Sequence, residues 1–275
     1  MEEDQVVARL RAAGCVFAEE EARLLGEAAR TPADLEVMVG QREKGLPLEQ
    51  VVGWADFCGL RIFVDPGVFV PRRRSEFLVE TAVSLASGAS PVIVDLCCGT
   101  GALGLAVAAR LAAAGRAARL HAADIDPAAV ACAKRNVEPI GGRVYQGDLF
   151  SPLPATLSGR VTILICNAPY VPSAEVGYLP AEARDHEPRT ALDGGPDGLA
   201  VLRRVAAEAP RWLAPGGRLL VETSGRQAAA MRRAMTAAGL AAQVRGCETS
   251  GATVVTAAHL LSRTDPGFLQ DHHDS

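Results

Sequence analysis

Val92-Ile93-Val94-Asp95-Leu96-Cys97-Cys98-Gly99-Thr100-Gly101 decides the fold. Its first five residues, apolar apart from Asp95, read as a buried strand, and the glycines behind them as a tight turn into a helix. The same sentence repeats downstream. Strands are expected at 92–96, 119–123, 143–146, 161–166 and 218–223, with helices at 102–114, 127–137 and 198–213 between them. Such alternation implies a parallel sheet with helices on both faces. A last helix over 226–238 precedes two short strands near 242–247 and 252–258. A Thr-Ser-Gly turn joins that pair, so it is expected to be antiparallel. The class is α/β, with a mostly parallel seven-stranded sheet.

The glycine turn carries chemistry. Glycine reaches φ > 0 and lets a ligand approach the backbone, and a helix start presents free N–H groups. Gly99-x-Gly101-x-x-Gly104 fits the spacing of a dinucleotide fingerprint. Asp95 points elsewhere, because an acidic strand end suits a cationic ligand, such as a sulfonium amino acid, better than a pyrophosphate. Asp124 ends the second strand, where a carboxylate can accept both ribose hydroxyl protons. Asp148, in Gln146-Gly147-Asp148-Leu149-Phe150, ends the third and is placed to accept from an adenine amino group. Any one of these aspartates is equally well explained as a cap or turn residue, and Asp126 before Pro127 reads as an N-cap. Three acidic strand ends in succession form the pattern of a class I S-adenosylmethionine fold. The expected cofactor residues are Asp95, Cys97, Gly99, Thr100, Gly101, Asp124, Ile125, Asp148, Leu149 and Asn167.

Asn167-Ala168-Pro169-Tyr170 follows the apolar run 161–166 and so lies at the carboxyl end of a strand, where open α/β sheets place ligands. Pro169 lacks an N–H and stiffens the loop. The Asn167 and Ala168 carbonyls can then accept both protons of an NH2 group while Tyr170 covers its planar face. These four residues are the expected catalytic group. Alone, Asn167 would read as a turn residue and Tyr170 as a rim aromatic; the cofactor pattern upstream favours chemistry.

Residues 5–50 carry helical periodicity, from Val6, Val7, Leu10, Ala13 and Val16-Phe17 through Leu24-Leu25. Thr31-Pro32 reads as an N-cap followed by proline in the first turn. Asp56 to Val64 is β-rich, Asp65-Pro66-Gly67 signals a turn, and Val68 to Val70 is expected as the return strand of a hairpin. The expected domains are 1–53 (helical, substrate recognition), 54–71 (linking hairpin), 72–261 (catalytic) and 262–275 (mobile tail). His272-His273 in that tail reads as solvated, and no metal is expected.

Net charge is −4 over 275 residues, which argues against a sequence-independent grip on nucleic acid. Hydrophobic residues make up 49% and aromatics only 4%, so Leu, Val and Ala fill the core. The seven cysteines are an odd count with no C-x-x-C pair, which favours a reducing cytoplasm. The acidic start Met1-Glu2-Glu3-Asp4 lacks the features of a signal peptide, and no apolar run is long enough to span a membrane.

With these motifs in place, the chain resembles the HemK-type protein-(glutamine-N5) methyltransferases. The family's Asn-Pro-Pro-Tyr appears as Asn167-Ala168-Pro169-Tyr170. Pro71-Arg72, Glu76, Asp148-Leu149-Phe150, Glu187-Pro188 with Ala191-Leu192, and Pro215-Gly216-Gly217 before a strand ending in Glu222 also match. The resemblance implies a Rossmann-like class I fold with a small helical N-terminal domain. It implies S-adenosylmethionine as donor, S-adenosylhomocysteine as product, and the glutamine of a release-factor Gly-Gly-Gln loop as acceptor. Arg72, Glu76, Tyr170, Glu187 and Pro188 would contact that acceptor. The chain departs from the family where Ala168 replaces a proline, where Cys97 replaces the first loop glycine, and at Arg73-Arg74-Ser75, where the family usually has Pro-Glu-Thr, so that Arg74 reverses a charge. The alternatives are a small-molecule N- or C-methyltransferase on the same fold, and a non-catalytic S-adenosylmethionine sensor. A base-flipping nucleic-acid methyltransferase is disfavoured by the acidic balance. Asp95 and the Asn167–Tyr170 loop disfavour a nicotinamide oxidoreductase.

Overall fold

The computed structural model describes residues 2–259. The expectations for 262–275, including His272-His273, lie outside the described residues. The chain opens with α1 (Glu3–Ala12), α2 (Ala18–Ala28), α3 (Pro32–Glu43) and the short α4 (Leu48–Val52). Thr31 caps α3 as its sequence suggests: its hydroxyl accepts from the Asp34 N–H, and the Asp34 carboxylate accepts from the Thr31 N–H. Val6, Leu10, Ala18, Ala22, Leu25 and Val39 form the core of this helical unit. The periodicity does not run on through Val16-Phe17. α1 ends before Gly14 at φ 91°, and Val16 and Phe17 stand in solvent at 84% and 68% exposure.

The hairpin differs from expectation. β1 (Trp54–Phe57) pairs antiparallel with β2 (Leu60–Phe63), so the chain reverses at Cys58-Gly59. Both turn residues have positive φ, 53° and 77°, the handedness that matches the twist of two paired strands. Val68–Val70 is therefore not a return strand. Val68 and Val70 are buried, and side chains replace ladder partners: Gln50 donates to the Val68 carbonyl, and Glu187 accepts from the Val70 N–H.

After α5 (Glu76–Leu85) the chain forms β3 (Val92–Leu96), α6 (Ala102–Ala113), β4 (Arg119–Asp124), α7 (Pro127–Val137), β5 (Arg143–Gln146) and β6 (Val161–Cys166). Then come α8 (Ala181–His186), α9 (Ala200–Trp212), β7 (Leu213–Thr223), α10 (Gly225–Ala237), β8 (Leu240–Cys247) and β9 (Ala252–His259). The seven-stranded sheet has the order β5-β4-β3-β6-β7-β9-β8. β5 through β7 are parallel, and β9 runs antiparallel to both β7 and β8. The expected α/β sheet is thus present. β7 starts earlier than expected, at Leu213, because Val161 pairs with Leu213 before the register shifts past Pro215-Gly216-Gly217.

Alternation along β3 divides the core. Val92, Val94 and Leu96 join a cluster with α9, α10 and the segment 149–157, while Ile93 faces α5 and α6. Between β3 and β6 the strand order reverses direction, so the loops after these strands diverge and leave a crevice. Leu96 pairs with Cys166, so Cys97 and Asn167 leave the sheet side by side. Cys166 pairs with Val221, which brings Glu222 beside Asn167 on the other flank.

Candidate active site

A cavity of about 310 Å³ fills this crevice, a size that suits a small-molecule ligand. Its wall includes Cys97, Gly99, Thr100, Asp124, Ile125, Asp148, Leu149 and Asn167, gathered from the ends of β3, β4, β5 and β6. Phe57, Phe69, Arg72, Ser75, Pro169, Pro188 and Arg204 also line it.

The loop after β3 is held by its own backbone and by carboxylates. Cys97, Gly99 and Gly101 all have positive φ, 54°, 54° and 77°. For Cys97 this is the left-handed region, where a side chain is disfavoured; the strain stands where the resemblance puts a glycine. A Cβ on Gly99 would meet nothing within 4 Å, so a ligand has room to approach that backbone. A Cβ on Gly104 would lie 2.7 Å from Leu120 Cδ1 and 3.0 Å from Asp95, so the third glycine serves helix–sheet packing.

Asp124 and Asp95 divide the work differently from the sequence expectation. Asp124 reaches the cavity. Its Oδ2 accepts from the Gly99 N–H at 2.8 Å and its Oδ1 from the Asp126 N–H at 3.0 Å. Each oxygen keeps a second lone pair, so a ribose diol can still donate to both. Burial raises the Asp124 pKa, against these backbone hydrogen bonds, which lower it. Asp95 does not line the cavity. It is fully buried on the α6 side of the sheet, where Oδ2 accepts from the Gly104 N–H at 2.8 Å and Oδ1 has no partner. Desolvation pushes its pKa up to about 8. It fastens the start of α6 rather than meeting a cation, because strand alternation turns it away from the crevice.

The acceptor side is assembled from distant segments. Asn167 lines the cavity, and its Nδ2 donates to Ser75 Oγ at 3.4 Å, leaving Oδ1 as a free acceptor. Ala168 is buried, with its side chain in the core. Beneath the loop, a Cβ on Gly194 would lie 2.6 Å from the Pro169 carbonyl, and one on Gly198 2.2 Å from the Tyr170 carbonyl. Gln227 Nε2 donates to that Tyr170 carbonyl at 2.8 Å and to the Asp197 carbonyl at 2.9 Å. Ser75, Gln227, Gly194 and Gly198 were not singled out in the sequence. The Gly194-Gly195-Pro196-Asp197-Gly198 run was the available signal.

Three of the five expected acceptor residues, Tyr170, Glu187 and Glu76, take other places. Tyr170 does not line the cavity. Its hydroxyl donates to Glu222 Oε1 at 3.0 Å and accepts from Arg74 Nη2 at 2.7 Å, and burial together with the Glu222 charge pushes its pKa well up. Arg74 also reaches Glu222 Oε1 through Nε at 3.2 Å, so its charge is spent largely on a buried carboxylate. Glu187 is buried under Arg72, whose Nη2 lies 2.6 Å from both its oxygens; burial raises the Glu187 pKa and Arg72 opposes that. Arg72 and Pro188 do line the cavity. Glu76 is absent from the wall, and its carboxylate accepts from the Cys58 N–H at 3.1 Å, tying the hairpin turn to α5. Asp148 lines the cavity but also pairs with Arg204 Nη2 at 2.5 Å, a contact the sequence did not suggest.

Comparison with known proteins agrees with this geometry. Residues 59–183 match the family model described as Methyltransferase small domain. A release factor glutamine methyltransferase of Mycolicibacterium smegmatis is 43% identical over 191 residues, covering 69% of this chain and 66% of that protein, just under two thirds of its length. One from Moorella thermoacetica is 37% identical and covers 73% of this chain and 70% of that protein. A 4-amino-L-phenylalanine/4-methylamino-L-phenylalanine methyltransferase of Streptomyces pristinaespiralis is 35% identical, covering 70% and 66%. Among solved structures, a methyltransferase from Pyrococcus furiosus superimposes with a TM-score of 0.53 at 15% identity, covering 74% of this chain and 90% of that one, a likeness of fold. With strained glycine loop, acidic strand end and Asn167 platform in one crevice, the chain belongs to the family of release factor glutamine methyltransferases.

Proposed function

We propose that the protein transfers a methyl group from S-adenosylmethionine to the side-chain amide nitrogen of a protein glutamine, with a release-factor Gly-Gly-Gln loop as the leading acceptor. The observation that carries this is Asn167: its amide is turned by Ser75 so that Oδ1 is free at the cavity wall, beside the loop after β3. The donor supplies an electrophilic methyl on a sulfonium. Asp124 would hold the ribose, the Gly99 to Gly101 backbone would let the donor lie close, and the apolar Ile125 and Leu149 would cover the purine. An amide nitrogen is a weak nucleophile because its lone pair is delocalised. Accepting both of its protons, at Asn167 Oδ1 and the Ala168 carbonyl, orients the lone pair toward the methyl and adds electron density. Holding the reactants aligned supplies several kcal/mol of the acceleration. Tyr170, anchored through its hydroxyl, would border the acceptor rather than lie flat on it. Residues 1–53 would recognise the substrate protein, residues 54–71 would link them to the catalytic unit from 72 onward, and the site of action would be the cytoplasm.

A second acceptor class has its own support. The Streptomyces pristinaespiralis relative is named for an aryl amine amino acid, and an aryl NH2 is planar and offers two protons as an amide does. The experiment is tritium transfer from labelled donor to purified release factors, to the same factors with the Gly-Gly-Gln glutamine changed to alanine, and to 4-amino-L-phenylalanine. Label in the intact factor and none in the altered one is the expected result. Label only in the amino acid would replace the protein acceptor with the small one, and label in neither would overturn both.

A further inference from the structure

Arg204 and Ile125 stand out among the residues that line the cavity. Ile125, directly after β4, is 60% exposed, although most large apolar side chains of the catalytic unit are buried. Arg204, on α9, lines the same cavity and reaches Asp148 behind β5. α9 packs on β6 and β7, and β4 and β3 separate β5 from β6 in the sheet. The ion pair therefore joins elements from distant parts of the sheet, at the end of the cavity that holds Gly147, Asp148, Leu149 and Val201. Both partners are about half exposed, 53% and 48%, so the pair is weakly stabilising for the fold. It leaves Asp148 Oδ1 free while Oδ2 is engaged.

We propose that Arg204 is a cofactor-binding residue: its guanidinium, fixed edge-on by Asp148, forms one planar wall of the purine slot, with Ile125 as an apolar contact and Asp148 Oδ1 as the acceptor for the exocyclic amino group. A guanidinium is flat and weakly hydrated, so it stacks on a π face while its edge N–H groups stay hydrogen-bonded to a carboxylate. Lysine lacks that plane. Asp148 is thus not a lone adenine ligand, as the sequence suggested, but half of a two-residue device whose other half lies 56 residues further along. This rests on the proposed methyl donor.

The test is calorimetric binding of S-adenosylmethionine, S-adenosylhomocysteine and 5′-methylthioadenosine to the unaltered protein and to Arg204→Ala, Arg204→Lys and Ile125→Ala, with thermal melts to check folding. Arg204→Ala is expected to weaken all three ligands about 5–20-fold, the size of a stacked cationic contact. Methylthioadenosine, which lacks the amino-acid end, should lose as much as the full cofactor. Arg204→Lys should recover little, and Ile125→Ala should weaken all three ligands. Affinity within twofold for Arg204→Ala, full recovery by lysine, or a loss confined to ligands with the amino-acid end would overturn the purine wall. Failure of the unaltered protein to bind any of the three would instead overturn the proposed donor, and the inference with it.

Discussion

The two halves of the crevice are built by different means. The cofactor half, at the ends of β3, β4 and β5, is local apart from the Asp148–Arg204 pair. Gly99 binds Asp124, Asp126 binds Asp124, and Gly104 binds Asp95 within short loops or neighbouring strands. The acceptor half, at the ends of β6 and β7, is held by contacts between residues far apart: Arg72 with Glu187, Arg74 with Glu222, Tyr170 with Glu222, and Asn167 with Ser75. Backbone geometry sets most of the first half. Side-chain networks set the second, so single replacements such as Arg74 can retune it while the chemistry stays.

Asn167→Ala tests the separation most severely. Methyl transfer in a single turnover should fall about 100-fold, as when one preorganised acceptor is removed from a reacting group, while donor affinity by calorimetry stays within twofold. An unchanged rate would remove Asn167 from the reaction, and a parallel loss of donor affinity would erase the division between halves.

Asp124→Ala probes the other side. Losing two hydrogen bonds to a charged acceptor should weaken donor binding about 10–50-fold, with the acceptor KM unchanged at saturating donor. Equal affinity would take Asp124 out of the ribose site.

Gly104→Ala asks whether the cofactor half is set by packing. The new Cβ meets Leu120 and Asp95 too closely, so chemical denaturation should show about 1–3 kcal/mol of destabilisation. Neutral behaviour would mean that the α6 start gives way easily.

Asp95 gives a pH slope rather than a change in rate or affinity. Its pKa is raised in the fold to about 8 from an unfolded 3.8, so the folded state binds more protons between those values. Stability is then greatest below about pH 4 as far as this group is concerned, and its share is lost as pH rises toward 8. Asp95→Asn should flatten that part of the stability profile measured by urea unfolding. An unaltered slope would mean Asp95 is charged in the fold, held by the Gly104 N–H.

The sheet was legible from the alternation of apolar runs with glycine turns, and the ends of β3 through β6 emerged close to where the sequence put them. The hairpin was not legible, because Asp65-Pro66-Gly67 is a strong turn signal, whereas Cys58-Gly59 closes the turn through a left-handed cysteine that no propensity favours. The place of Asp95 was not legible, because the sequence marks a strand end but not which way its last side chains point once the sheet is covered.

By itself the sequence determined the parallel α/β frame, the glycine loop with Asp124 behind it, and the Asn167 platform, because each is encoded within a few consecutive residues by backbone preferences and the period of burial. Tertiary structure alone decided that Glu187 pairs with Arg72 and Glu222 with Arg74, that Tyr170 is tied by its hydroxyl, and that Arg204 meets Asp148 at the cavity wall. The physical reason is the same for all of them. A charged group brought into a partly dry crevice must find a counter-charge, and which one it finds depends on which strand ends the sheet order sets side by side.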